Sequence, residues 1–215
     1  ALNASYSELT ALYWLWRNSG ADVKGLVHYR RLLGSPDRAR MRSRDPFDRV
    51  AAGEELAALA ASFGAVVARR RDYLIESVGS HYTHTHDVAH LDACREVLSE
   101  LSPDHVPAWD RLMASHRVHA FNMLVAPAEV FDEYCAWLFP VVGELVRRID
   151  SSGMTPFEAR WPGRVSELLL DPWLEVAGIA PAELPVVSPE PVDWVAKGTA
   201  FLAAKFLGRK YGSSF

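Results

Sequence analysis

Short apolar runs that stop abruptly at basic residues, with helix-like stretches between them, constrain this chain most. Val23, Leu26 and Val27 lead into His28-Tyr29-Arg30-Arg31, and Gly64-Ala-Val-Val-Ala68 leads into Arg69-Arg70-Arg71. A brief apolar run bounded by polar residues reads as a buried strand. The alanine-rich segment 53–62 between the two runs reads as a helix. Strand, helical connection and strand form the βαβ pattern, which predicts parallel pairing in an α/β domain. In open α/β sheets ligands bind beyond the carboxyl ends of the strands, so His28, Tyr29, Arg30 and Arg31 are candidate ligand contacts. Two guanidiniums offer forks of donors matched to phosphate oxygens. The plainer alternative is an arginine pair leaving a strand for solvent.

The remaining elements follow from periodicity and punctuation. Ser5-Tyr-Ser-Glu8 has the form of a capping box, and Leu9, Leu12, Tyr13 and Trp16 behind it recur at helical spacing. Asp87 suits the N-cap of a helix that Pro103 ends, and residues 107–114 suit a brief helix. Residues 118–125 read as a third strand, with Asn122 polar among apolar neighbours. Pro127 opens a long helix to about residue 149, in which Pro140 predicts a kink. A further helix beginning at Arg164 or Ser166 is interrupted at Pro172, and 184–187 is a last short strand. The tail from Asp193 mixes Trp194, Phe201 and Phe206 with Lys197, Lys205, Arg209 and Lys210. Such a basic amphipathic helix suits an anionic membrane surface; docking on the domain is the alternative. The expected organisation is one domain over 1–190 and a tail over 191–215.

Composition narrows the function classes. A chain of 215 residues with a formal net charge of −4 does not attract nucleic acid through a global positive field. Cys94 and Cys135 have neither metal-ligand nor redox spacing and read as buried reduced thiols of a cytosolic protein. No apolar run approaches the roughly 18 residues of a membrane span.

Four histidines, His81, His84, His86 and His90, crowd one stretch without an HExxH pattern or a nearby cysteine. Donation to a sugar or phosphate, or simple helix capping, suits them better than metal binding. No Asp-x-Asp pair closes an apolar run, the place where a divalent ion on a diphosphate would be held. The arginines of 28–31 can instead neutralise a leaving diphosphate, which predicts metal-independent chemistry with no cofactor, a divalent cation being left open. Glu167, in Gly163-Arg164-Val-Ser-Glu167, is the leading general-base candidate: a helix N-terminus would favour its ionised form. Asp87 and Glu76 are weaker candidates, and a first-turn glutamate with no catalytic role is the plain alternative. Asn122 either bonds a ligand hydroxyl or the backbone.

Taken together, Glu8-Leu-Thr-Ala-Leu-Tyr-Trp-Leu-Trp16, Gly25-Leu-Val-His-Tyr-Arg-Arg31, Tyr82-Thr-His-Thr-His86, Phe121-Asn-Met123, Phe131-Asp-Glu-Tyr-Cys-Ala-Trp-Leu-Phe139 and Ser166-Glu167-Leu-Leu form an ordered set. That set resembles a bacterial glycosyltransferase family long catalogued as a domain of unknown function. The family occurs in capsule, exopolysaccharide and O-antigen gene clusters, and some members look like galactofuranosyltransferases. The resemblance implies a GT-A-like α/β fold with a mixed, mainly parallel sheet flanked by helices. It implies inverting transfer of a hexose, plausibly galactofuranose, from a UDP-sugar donor to a lipid-linked glycan acceptor at the inner face of the plasma membrane, with peripheral contact through the tail. His28, Tyr29, Arg30 and Arg31 would then face the diphosphate, with His84, His86 and Arg164 also on the substrate side. Asn122 and Met123 would line the sugar pocket, and Glu167 would be the base. Family members carry a further N-terminal segment with the first nucleotide-binding strand, so that strand is expected to be missing here. A non-catalytic glycan- or nucleotide-binding module derived from such an enzyme is the competing expectation.

Overall fold

The computed structural model describes residues 3–189. The basic tail over 191–215 lies outside the described residues. Chain order begins with a short helix α1 (Asn3–Tyr6) and α2 (Leu9–Asn18), followed by strands β1 (Val23–Leu26) and β2 (Leu32–Leu33). Helix α3 (Gly53–Phe63) precedes β3 (Val66–Ala68) and β4 (Arg71–Asp72). Three helices follow, α4 (Val78–Thr83), α5 (Ala89–Leu101) and α6 (Val106–Ala114), then β5 (Arg117–Val118) and β6 (Leu124–Pro127). The long α7 (Ala128–Arg148) and α8 (Trp161–Val176) lead to β7 (Ala182–Leu184) and β8 (Val186–Val187).

The main sheet runs β1-β6-β3-β7. β3 and β7 pair in parallel, whereas β6 is antiparallel to both β1 and β3. β1 and β3 therefore point the same way, as the βαβ pattern predicts, but are not neighbours: β6 lies between them. The expected direct parallel pairing is corrected by that insertion, and the sheet is mixed. β2 pairs with β8 and β4 with β5 in two small antiparallel ladders.

Alternation along the strands divides the core in two. Val66, Ala68, Met123 and Val125 pack on one face with Leu33, Ala60 and Leu184, where α3 sits. Val67, Leu124 and Ala126 face the other way, into a larger cluster with Leu12, Leu98, Phe131, Leu138, Trp161 and Leu169 from α2, α5, α7 and α8. Gly25 is required at the β1–β6 contact, because a Cβ there would meet Val125 Cγ2 at 2.8 Å. Lys24 on β1 is buried and donates to both Asp132 carboxylate oxygens on α7, at 2.7 and 2.8 Å, so the helix is tied to the edge of the sheet. Cys94 and Cys135 are buried free thiols, and burial drives both pKa values up.

Three boundaries depart from the sequence reading. Ser5 does not cap α2; it lies in α1, and Glu8 turns elsewhere. α8 starts at Trp161 and runs through Pro172 without a break. The expected strand 118–125 is split: β5 ends at Val118 and β6 begins at Leu124, with Phe121 and Asn122 both at positive φ (83° and 50°) between them. Among the described residues, no helix is long and apolar enough to cross a membrane.

Candidate functional site

A cleft of about 350 Å³ opens where the turn after β1, the loop before β6, α4 and the start of α8 meet. His28, Tyr29, Arg30, Arg31, His86, Arg164 and Glu167, all predicted from sequence, line it. Glu8, Arg71, Tyr73, His81 and Arg160 join them.

Residues 28–31 form a tight turn rather than the end of a strand. The Arg31 N–H donates to His28 O at 3.1 Å, and His28 and Arg31 bridge across the turn. The His28 ring holds that turn in place. Its Nδ1 accepts from the Arg30 N–H at 3.3 Å, and its Nε2 lies 2.9 Å from Glu8 Oε1. An Nδ1 that accepts carries no proton, so His28 is neutral and Nε2–H donates to Glu8. Burial lowers its pKa, and the positive Arg31, Arg30 and Arg160 lower it further against the pull of Glu8. The turn thereby presents two guanidiniums, Arg30 over the Tyr29 ring (5.1 Å) and Arg31 over the Phe121 ring (4.5 Å).

Opposite them, the loop 119–122 is fastened to one face of α8. His119 N–H donates to Asp171 Oδ2 (2.9 Å), and its Nδ1 lies 2.6 Å from Asp171 Oδ1. Phe121 N–H donates to Glu167 Oε2 (3.0 Å). Asn122 Nδ2 donates to Gly163 O (3.1 Å) and Ser166 Oγ (3.0 Å). Residues 163, 167 and 171 recur every four positions, so successive rungs of the loop meet one stripe of the helix. α8 also packs closely at Gly163, where a Cβ would lie 3.2 Å from Ser7 Cβ and 3.4 Å from Tyr6 O, in the segment that carries Glu8.

Glu167 is the seventh residue of α8, not a first-turn residue, so the helix macrodipole does not set its ionisation. Its carboxylate is reachable from the cleft but enclosed by protein. Desolvation raises its pKa; the Phe121 N–H, Arg164 and Arg31 restrain the rise, and Glu8 adds to it.

The other predicted residues stand apart from the cavity. Asn122 and Met123 are buried behind its wall, Asn122 satisfied by α8 and Met123 packed in the smaller core. They lie behind the wall of the cleft rather than among its lining residues. Asp87 is exposed and accepts from Ala89 N–H at 2.9 Å, a helix-start role outside the cleft. His84 is exposed beside Glu76 (3.5 Å), also outside the lining. Glu76 itself meets His81 Nδ1 at 3.2 Å. The histidines do not converge: His90 is buried against Tyr82 Oη at 3.0 Å. Among the described residues no group of three or more His, Cys, Asp or Glu is placed to hold a metal ion. Of the arginine-rich stretch 30–49, Arg40 pairs with Glu55 (2.8 Å) and Arg49 donates to Ser43 O (2.7 Å), so these two brace a loop.

Sequence reasoning missed Glu8 and the His119–Asp171 pair; Arg71 belongs to the basic cluster Arg69-Arg70-Arg71, which reads either as a solvated loop or as the rim of an anion site. The Glu167-x-x-x-Asp171 spacing was a readable signal, since it puts two acids on one helical face. The Glu8–His28 contact joins residues 20 apart and left no local trace.

Residues 1–178 match the sequence family described as a domain of unknown function, DUF4422. Among solved structures, the apo form of the bifunctional glycosyltransferase WbbM superposes with a TM-score of 0.76 at 21% sequence identity. The match covers 86% of this chain and 37% of that one. At that identity the likeness establishes the α/β fold, and this chain spans little more than a third of that protein. No curated protein matches the sequence.

Proposed function

The chain belongs to the family described as a domain of unknown function, DUF4422, and on that premise we propose that it is a glycosyltransferase. The reading is that it moves a hexose, plausibly galactofuranose, from a UDP-sugar to a growing cell-surface glycan with inversion. One observation carries it: two guanidiniums on a braced turn share a cleft with Glu167, an enclosed carboxylate held by a backbone N–H. The similarity in fold to a glycosyltransferase supports the same reading.

In this scheme Arg30 and Arg31 bind the donor diphosphate. Glu167 takes the proton from an acceptor hydroxyl as that oxygen bonds to the anomeric carbon, opposite the departing nucleotide. The bond from that carbon to the diphosphate oxygen breaks, and its electron pair leaves with UDP, whose growing charge the guanidiniums stabilise. Glu167 later returns the proton to solvent. Fixed cations take the place of a divalent ion, so transfer proceeds without a metal. The acceptor is expected to be lipid-linked, with the basic tail at the membrane.

Turnover of UDP-sugars with glycan acceptors tests the proposal. Product is expected, and its rate should be unchanged by EDTA; loss with EDTA and recovery with manganese would reject the metal-independent scheme. Calorimetric binding of UDP-sugar or glycan without any product would instead favour a binding module.

A further inference from the structure

Residues 35–49, between β2 and α3, line no part of the cleft. They carry five arginines against three aspartates, in a chain whose formal net charge is −4. Bonds within the loop give it one shape and divide its arginines by task. Arg40 turns to the protein, where Nη1 donates to Glu55 Oε2 (2.8 Å) and Nε to Asp48 O (3.1 Å). Arg49 Nε donates to Ser43 O at 2.7 Å. The aspartates are engaged inside the loop. Asp37 Oδ1 accepts from Ala39 N–H (2.7 Å), Asp45 Oδ1 from Phe47 N–H (2.8 Å) and Asp48 Oδ2 from the Ser43 hydroxyl (2.7 Å). Among the described residues, the guanidiniums of Arg38, Arg42 and Arg44 make no hydrogen bond or ion pair, and all three residues are exposed. Phe47 beside them is 66% exposed.

The loop is fixed to the fold near the end of the described chain. Residues 37–43 wind as a helical turn: Met41 N–H donates to Asp37 O, Arg42 N–H to Ala39 O and Ser43 N–H to Arg40 O. Arg38 and Arg42, four apart, therefore share a face of that turn. Met41 Sδ and Val187 Cγ2 of β8 close together on Gly34, 3.1 and 3.0 Å from where a Cβ would stand. β8 is the last described strand, and two residues beyond it the description ends at Pro189. The stretch with Lys197, Lys205, Arg209 and Lys210 follows in sequence, so it departs from beside this loop.

Guanidiniums with no acid in contact keep their donors open to phosphate oxygens. An exposed aromatic ring among basic side chains suits the boundary between lipid headgroups and acyl chains. We propose that loop 35–49 docks on an anionic lipid surface, with Arg38, Arg42 and Arg44 on headgroup phosphates and Phe47 in the interface. The proposal does not depend on the glycosyltransferase reading. An acidic polymer would use the same guanidiniums but leave Phe47 in water, so the ring discriminates between the two.

Sedimentation of the full chain with vesicles of phosphatidylglycerol and phosphatidylcholine tests it. Binding is expected to these vesicles but not to phosphatidylcholine alone, and should fall with added salt. Arg38→Gln, Arg42→Gln and Arg44→Gln together should weaken it about 100-fold, at roughly 5-fold for each basic residue at an anionic surface. The matching triple Lys variant should stay within about 3-fold of the unaltered chain, which separates charge from folding. Phe47→Ser should weaken binding about 5-fold or more. In the unaltered chain, amides of residues 38–47 should gain hydrogen-exchange protection on the vesicles. Absence of that protection, or of binding to anionic vesicles, would overturn the proposal whatever the variants do. Unchanged binding by the triple Gln variant would place the contact on the tail and also overturn it. So would full vesicle binding by Phe47→Ser with equal binding to polygalacturonate, which points to an acidic polymer. Self-association without vesicles that the triple Gln variant abolishes would assign the face to a second copy and overturn it as well.

Discussion

Glu167 shows how one residue's task changes with its setting. A helix N-terminus would make it a stronger acid, yet its position in the second turn and its enclosure make it a weaker one. A base works only when deprotonated, so activity should fall as pH drops through this raised pKa. The ascending limb of kcat/KM is expected above the usual glutamate value of about 4.3, and a limb below that value would contradict the burial argument. Glu167→Gln should cut turnover by roughly 10²- to 10⁴-fold, the usual worth of a general base, with UDP binding retained. The two turn arginines should differ. Arg31 is half-buried on Phe121, where its charge is poorly screened, whereas Arg30 is exposed. Arg31→Ala is expected to weaken UDP binding by about 10-fold or more, and Arg30→Ala by less and with a steeper salt dependence, both read by calorimetry.

At the scale of elements, the fastening of loop 119–122 to α8 fixes the cleft's inner wall. Asn122 combines a left-handed backbone with two side-chain donations to α8. Asn122→Ala removes both bonds and leaves an ordinary residue at φ 50°, so a loss of about 2–3 kcal/mol is expected in urea denaturation. A change under about 0.5 kcal/mol would mean the wall does not depend on this rung. The same loop marks where sequence reading stops. The long helix after Pro127, the buried strand before Arg69 and the cleft-facing arginines of 28–31 were legible, because periodicity, proline and charge are local signals. The paired positive φ values at Phe121 and Asn122 were not, because they are enforced by partners on α8 more than 40 residues away. An apolar stretch interrupted by one asparagine looks continuous until those partners are in place. The turn at 28–31 likewise looks like a strand end in sequence, since the Glu8–His28 contact that braces it comes from another element.

Across the whole molecule, histidines shielded in part or in full from water make acid destabilising to the fold. Burial is the largest cause lowering the pKa of His28, His81, His86, His90 and His105, and it takes His86 to about 4. The unfolded chain binds those protons near pH 6.5, the folded chain only at lower pH, so stability is full above about 6.5 and is lost as pH falls towards 4. Asp171 adds to the same trend from below: burial alone would raise its pKa, but its bonds to His119 and the nearby Arg70 outweigh that and lower it. The thermal midpoint should therefore drop steadily between pH 7 and pH 5, and a flat profile would show these rings to be solvated. Cys94 and Cys135 bear on how such questions can be answered. Both sulfur atoms are sealed inside, and neither forms the thiolate that maleimides attack at neutral pH. A dye placed through Thr85→Cys at the rim of the cavity would consequently label one position alone, giving an optical readout of occupancy without stripping the native sulfhydryls first.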